Sequence, residues 1–267
     1  MIADQDVITI YRQVPEIHLG LTDAEIEFLP HQIFRGIPMQ LWKDIHPSAC
    51  YRYLSIFTNF RIIPKYCFDC YKILVSPRNV VELFKLLMVF EKIALPLDNT
   101  RKCSVEERKE CSGTYKGLVY CRGLDEGNKI LRIIRKVVSE DISPEVSVTL
   151  KRGCSEFEHA YPEFARIEPN YAIMQHRNDM QYRNEWQILE DSFDKNLASV
   201  HQEIPFVNAD IAKFEAGVYT DNEILCMQFW LRYAATIGDM SYLAITGMTM
   251  PPISYIKRPP FRGEISA

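Results

Sequence analysis

Residues 66–94 read YCFDCYKILVSPRNVVELFKLLMVFEKIA, and this stretch decides the fold. Tyr66 to Val75 is rich in aromatic and β-branched side chains, which suit a pleated strand. Ser76-Pro77 then reads as a helix start, with serine as the cap and proline in the first turn. The following helix is expected to run to about Ala94, where Pro96 and Asn99 end it. Its apolar residues, from Val80 to Phe90, surround most of its circumference. A helix apolar on all sides is covered on more than one face, so the segments flanking this region are expected to pack over it.

Outward from this unit the alternation continues. Thr100 to Arg108 is predicted as a second strand, and Cys111-Ser-Gly113 as a turn. Thr114 to Cys121 is predicted as a third strand, joined to the second as a hairpin. Leu124 to about Ser139 is predicted as a second helix. Its apolar stripe is Ile130, Ile133, Ile134, Val137 and Val138, and Lys129, Arg132, Arg135 and Lys136 form its wet side. Val146 to Lys151 is predicted as the fourth strand. The order β-α-β-β-α-β defines an α+β protein with a ferredoxin-like βαββαβ sandwich core and helical additions at both ends. The strands are expected in the spatial order 4-1-3-2.

The organisation follows. Residues 1–60 are expected to be a helical and loop cover, with a capping-box spacing at Thr22 to Glu25 and a helix after Pro47. Residues 61–154 are the core. Residues 155–267 are a C-terminal helical segment packed on it. Its better helices are Asn178 to Phe193 and Asn222 to Ile237, and a proline-containing tail is extended from about residue 248. The chain is 47% hydrophobic and 25% charged, an ordinary globular composition. The first residues are acidic, which is not how a secretory leader begins. The most apolar run carries Glu82, Lys85, Glu91 and Lys92, which argues against a membrane span. A soluble, cytoplasmic protein is expected, with its eight cysteines reduced or ligating metal.

The net charge of −4 conceals an asymmetry. Residues 61–154 carry 18 basic and 12 acidic side chains, a net +6, between flanks of −3 and −7. Either the flanks fold onto the core and offset it, or the core binds an anion.

The fold turns a dull cysteine pattern into a candidate site. In the expected topology one end of the sheet gathers Cys67 and Cys70 at the start of strand 1, Cys103 at the start of strand 2, Cys121 at the end of strand 3 and Cys154 after strand 4. Neighbouring strands lie about 4.8 Å apart, so adjacent thiols can share a ligand. The same pole gathers Arg101, Lys102, Arg122, Lys151 and Arg152. Cations favour thiolate, the form that binds metal or attacks electrophiles, and they also hold phosphate or carboxylate. The cysteines are therefore candidate ligands for zinc or an iron–sulfur cluster, and the cations are candidates for a small anionic ligand. A thiol-dependent enzyme acting on an anionic substrate is the alternative. Simple packing of buried cysteines explains the thiols but not their basic neighbours. Regular strand places Cys67 and Cys70 on opposite faces, so their shared ligation requires a bulge or a late strand start. His159, close behind Cys154, is a further candidate base or ligand, and His176, Arg177 and Arg183 can approach from outside.

Tyr115-Lys-Gly-Leu-Val-Tyr120 resembles the basic-Gly-aromatic strand of RNA-recognition motifs, with Leu118 where a stacking aromatic is wanted. The resemblance implies a nucleic-acid partner. A protein-interaction module is the remaining reading. No phosphate-cradling Gly-rich loop, Gly-x-Ser-x-Gly elbow or His-Glu-x-x-His is present.

Overall fold

The computed structural model describes residues 2–12, 40–43, 47–107, 111–167, 186–195 and 221–253. The expectations for Thr22 to Glu25, for His176, Arg177 and Arg183, and for the tail beyond residue 253 lie outside the described residues. The strands are β1 (Gln40–Lys43), β2 (Cys70–Ser76), β3 (Arg101–Val105), β4 (Tyr115–Arg122) and β5 (Ser147–Arg152). The helices are α1 (Asp4–Arg12), α2 (Pro47–Phe60), α3 (Val80–Lys92), α4 (Leu124–Asp141), α5 (Ser155–Ala160), α6 (Pro162–Ala165), α7 (residues 186–195), α8 (Asp221–Ile237) and α9 (Leu243–Thr246). The chain is an α+β protein.

The strands form one sheet in the order β1-β3-β4-β2-β5, with every pair antiparallel. Four of them come from the predicted strand segments. The fifth, β1, lies in a region read as helix and loop, and it adds to the free edge of β3 with Leu41 opposite Cys103. A four-residue strand is too short to show period-two alternation, so its sequence gives no signal.

Two further corrections concern the deciding stretch. Lys65–Asp69 is a 3₁₀ turn, and the strand starts only at Cys70. Ser76 does not cap the helix, because it still pairs with Ser147 in the sheet. Asn79 is the cap: its side chain accepts from the Glu82 N–H at 2.9 Å. The Glu82 carboxylate reaches back to accept from the Arg78 N–H at 2.7 Å. One orphan donor of the helix start and the amide just before the cap are thereby satisfied.

α3 and α4 share one core with the sheet residues Ile73, Val75, Val119 and Val148. Ten of the thirteen residues of α3 are buried, including Glu82. Its outer side is covered from both ends of the chain. Val7 of α1 is fully buried in the same core, and Phe84 of α3 meets Trp230 of α8 edge-to-face at 5.7 Å. Asp239, just after α8, accepts from the Val80 N–H at 2.7 Å and from the Tyr115 hydroxyl at 2.6 Å. One buried carboxylate thus ties the C-terminal segment to the start of α3 and to β4.

A second core lies beyond one end of the sheet. It is built from Phe57, Ile63, Cys67, Phe68, Phe157 and Phe164, with Tyr161 and Trp186 against it. Arg52 of α2 grips α7 through Glu190 at 2.9 Å and Asp194 at 2.6 Å. Part of the acidic C-terminal segment therefore folds back onto a basic residue of the N-terminal one.

Candidate functional site

Alternation along β2 sends Tyr71, Ile73 and Val75 toward the helices and Cys70, Lys72 and Leu74 to the opposite face. Lys72 stands directly across from Tyr120 on one side and Lys151 on the other. It is 6% exposed. Its ammonium lies 3.0 Å from Cys154 Sγ and 4.9 Å above the Tyr120 ring. Among the described residues no carboxylate partners it. Burial by itself pushes the Lys72 pKa down, but the adjacent Cys154, Tyr120 and Cys70 outweigh it and the net shift is well upward.

Cys154 reaches this lysine because of a glycine. The β5 ladder ends at Arg152, and a continued strand would turn Cys154 toward the helix face. Gly153 instead adopts a left-handed φ of +63° while its N–H donates to the Cys70 carbonyl at 2.8 Å. A Cβ there would lie 2.5 Å from the Phe164 ring. Glycine is thus required both by the turn and by the close approach.

Three more thiols lie within electrostatic reach of the pair. Burial pushes Cys70 up to about 11, with Lys72 pulling down and Cys154 and Cys50 pushing up. Cys50 on α2 is also raised, first by burial and against the pull of Lys72 and Lys102. Cys67 is raised strongly by burial and then by Cys154 and Cys70. The late start of β2 leaves Cys67 in the 3₁₀ turn, where it packs in the second core.

The remaining predicted site residues separate from this group. Cys103 is fully buried on the helix side, where burial raises its pKa well above the ordinary value. Cys121 is on the same side, pushed up to about 12 by burial, with Glu126 and Cys70 adding to the shift. Arg101, 2% exposed, donates to the Ile93 carbonyl at 2.8 Å, at the C-terminal end of α3. Arg152, also 2% exposed, is a structural cation. Its Nε and Nη2 donate to the Phe68 carbonyl at 3.0 and 2.8 Å, and Nη1 donates to the Phe164 carbonyl at 3.1 Å. The guanidinium lies 4.3 Å from the centre of the Phe164 ring. Lys102 is half-buried beside Cys50. Lys151 donates to Ser155 Oγ at 3.0 Å and to Glu158 at 3.1 Å. Arg122 and His159 are exposed.

The pole is therefore two environments. Cys154 contacts Lys72, and Cys50, Cys67 and Cys70 lie within its electrostatic reach, while Cys103 and Cys121 belong to the apolar core. Among the described residues no three His, Cys, Asp or Glu side chains are grouped so as to hold a metal ion. The Lys72 ammonium beside Cys154 also repels a metal cation. The RNA reading finds a partly covered surface. Lys72, Ser104 and Lys116 are buried on this face, and Lys116 is paired with Glu106 at 2.9 Å. Sequence reasoning missed Lys72 and Cys50. A lysine in the middle of an apolar strand was the available signal for the first; nothing local marked the second.

Among the described residues, no helix is long and apolar enough to cross a membrane. Comparison with known proteins finds no matching family model, no matching curated protein and no matching solved structure.

Proposed function

We propose that the sheet with α3 and α4 is a ferredoxin-like core, and that the protein works through the Cys154 thiol on a small anionic ligand. The observation that carries this reading is the Lys72–Cys154 contact of 3.0 Å. A buried ammonium requires a counter-charge. Here the polar atom it meets is a half-buried sulfur rather than a carboxylate. A cation beside a thiol favours thiolate, the attacking form. Lys102 and Arg122 on the same face add positive charge for an anionic partner. All eight cysteines are free thiols, as suits a reducing, intracellular setting.

The test is competitive alkylation with iodoacetamide at pH 7, followed by peptide mass spectrometry. Cys154 is expected to react at least about tenfold faster than Cys103, and Lys72→Met, checked for folding by circular dichroism, is expected to slow it by about tenfold. Inorganic phosphate is expected to protect Cys154. Equal Cys154 rates in wild type and Lys72→Met would remove the basis of the reading.

A further inference from the structure

Taking Cys154 as the reactive thiol, as proposed above, we infer that it is oxidised by a hydroperoxide and that Cys70 closes it into a disulfide. Two observations carry this. First, Lys72 Nζ stands 3.0 Å from Cys154 Sγ, so a nucleophilic sulfur and a proton donor are side by side. Second, the resolving thiol is built in. The register sets Tyr71 opposite Arg152, and the Gly153 N–H donates to the Cys70 carbonyl at 2.8 Å. Cys70 and Cys154 therefore stand on adjoining backbones, one step out of register. Strands about 4.8 Å apart put such a pair within the roughly 4.4–6.8 Å between Cα atoms that a disulfide spans. Alternation puts the Cys70 side chain on the same face as Lys72. Cys50 and Cys67 also feel Cys154, but Cys67 is buried in the aromatic cluster and Cys50 lies on a separate helix.

The Cys154 thiolate attacks one oxygen of the O–O bond, forming S–O as O–O breaks. The leaving alkoxide takes a proton from Lys72, and the proton that the thiol released on ionising returns to the amine through water. The sulfur is oxidised by two electrons to sulfenic acid, and the hydroperoxide is reduced to an alcohol, or to water when it is hydrogen peroxide. The Cys70 thiol then attacks the sulfenic sulfur. S–S forms, S–O breaks, and the hydroxyl leaves as water with the Cys70 proton. The product leaves the Lys72 ammonium beside a disulfide sulfur, which cannot carry a counter-charge. The disulfide form is therefore expected to bind an inorganic anion more tightly than the reduced form.

The experiment treats the full chain at pH 7 with about one equivalent of hydrogen peroxide, blocks with N-ethylmaleimide and maps cross-linked peptides. The expected result is loss of two free thiols per chain and a Cys70–Cys154 cross-link. Cys70→Ser is expected to stop at a sulfenic acid on Cys154 that dimedone traps. Inorganic phosphate is expected to bind the oxidised chain at least about threefold more tightly. A cross-link from Cys154 to Cys50 or Cys67, or oxidation of Cys154 no faster than of Cys103, overturns the inference. If Cys154 still outpaces Cys103 toward iodoacetamide in that case, the thiol reading survives and only the oxidation falls. If it does not, both fall.

Discussion

Cysteines stand on both faces of this sheet, in opposite company. On the helix side, Cys103 and Cys121 lie among Val119, Leu41 and the residues of α3, and burial holds them as neutral thiols. On the other side, Cys70 and Cys154 border a buried lysine. Free cysteine packs well as a small hydrophobe, so the first group needs no further reason. An ammonium in the second group does, because charge is costly away from water. The difference teaches that a thiol's neighbours, rather than its position at one end of a sheet, separate a packing cysteine from a chemical one.

The arginines make the same contrast, and the largest expected effect tests it. Arg152→Ala removes a guanidinium that satisfies two buried carbonyls and fills the space between aromatic rings. It should cost about 3–5 kcal/mol in urea denaturation. Arg122→Ala, at an exposed rim position, should stay within about 0.5 kcal/mol. A mild Arg152→Ala effect would return that residue to the list of candidate ligand-binding cations.

Trp230→Ala should cost about 3–5 kcal/mol, because the indole is fully buried against α3. The Cys154 alkylation rate should barely change, since the helix face and the thiol face are separate. A large change in rate would show that they are coupled.

Gly153→Ala should cost about 2 kcal/mol from the left-handed backbone and the Phe164 contact. Its loss of Cys154 reactivity should exceed its loss of stability, because the turn aims the sulfur. Rates measured well below the unfolding transition separate the two effects.

Paired serine substitutions sharpen the comparison further. Cys103→Ser places a hydroxyl in a dry core and should cost about 1–3 kcal/mol. Cys154→Ser, half-buried beside a polar partner, should cost less than about 1 kcal/mol while abolishing fast alkylation. Equal costs would mean the two environments are alike.

The smallest effect is alkaline. Cys70 and Cys121 have folded pKa values raised to about 11 and about 12, above the ordinary thiol value of 9.0. A raised value means the folded state holds its proton longer than the unfolded one. That contribution is complete below pH 9 and is lost as pH climbs through 11 and 12. Lys72, raised above its ordinary 10.5, adds to the same fall at higher pH. Urea midpoints should be level from pH 7 to about 9 and decline above it. A rise above pH 9 would contradict burial of these thiols.

The alternation of strand and helix was legible because each period is written locally. Four strand segments, the two central helices and the all-round apolar surface of α3 can be read from residues 66–151. The limits of local reading appear at Ser76, where sheet pairing overrides a good cap and Asn79 takes the role. They appear again at β1, whose four residues become a strand only because β3 offers them an edge.

The candidate site was legible only in part. A clustering of cysteines with cations at one pole could be inferred from strand order, and Cys154 was among them. The partner that matters, Lys72, could not, because its meeting with Cys154 depends on a backbone turn at Gly153 and on a neighbouring strand 82 residues away. The sequence by itself determined the α+β class, the element order and the supply of thiols and positive charge, since these follow from composition and short-range periodicity. Tertiary structure alone decided which face each cysteine occupies, which arginines became structural and which thiol met an ammonium. Those outcomes depend on strand register and burial, which arise from contacts between residues far apart in the chain.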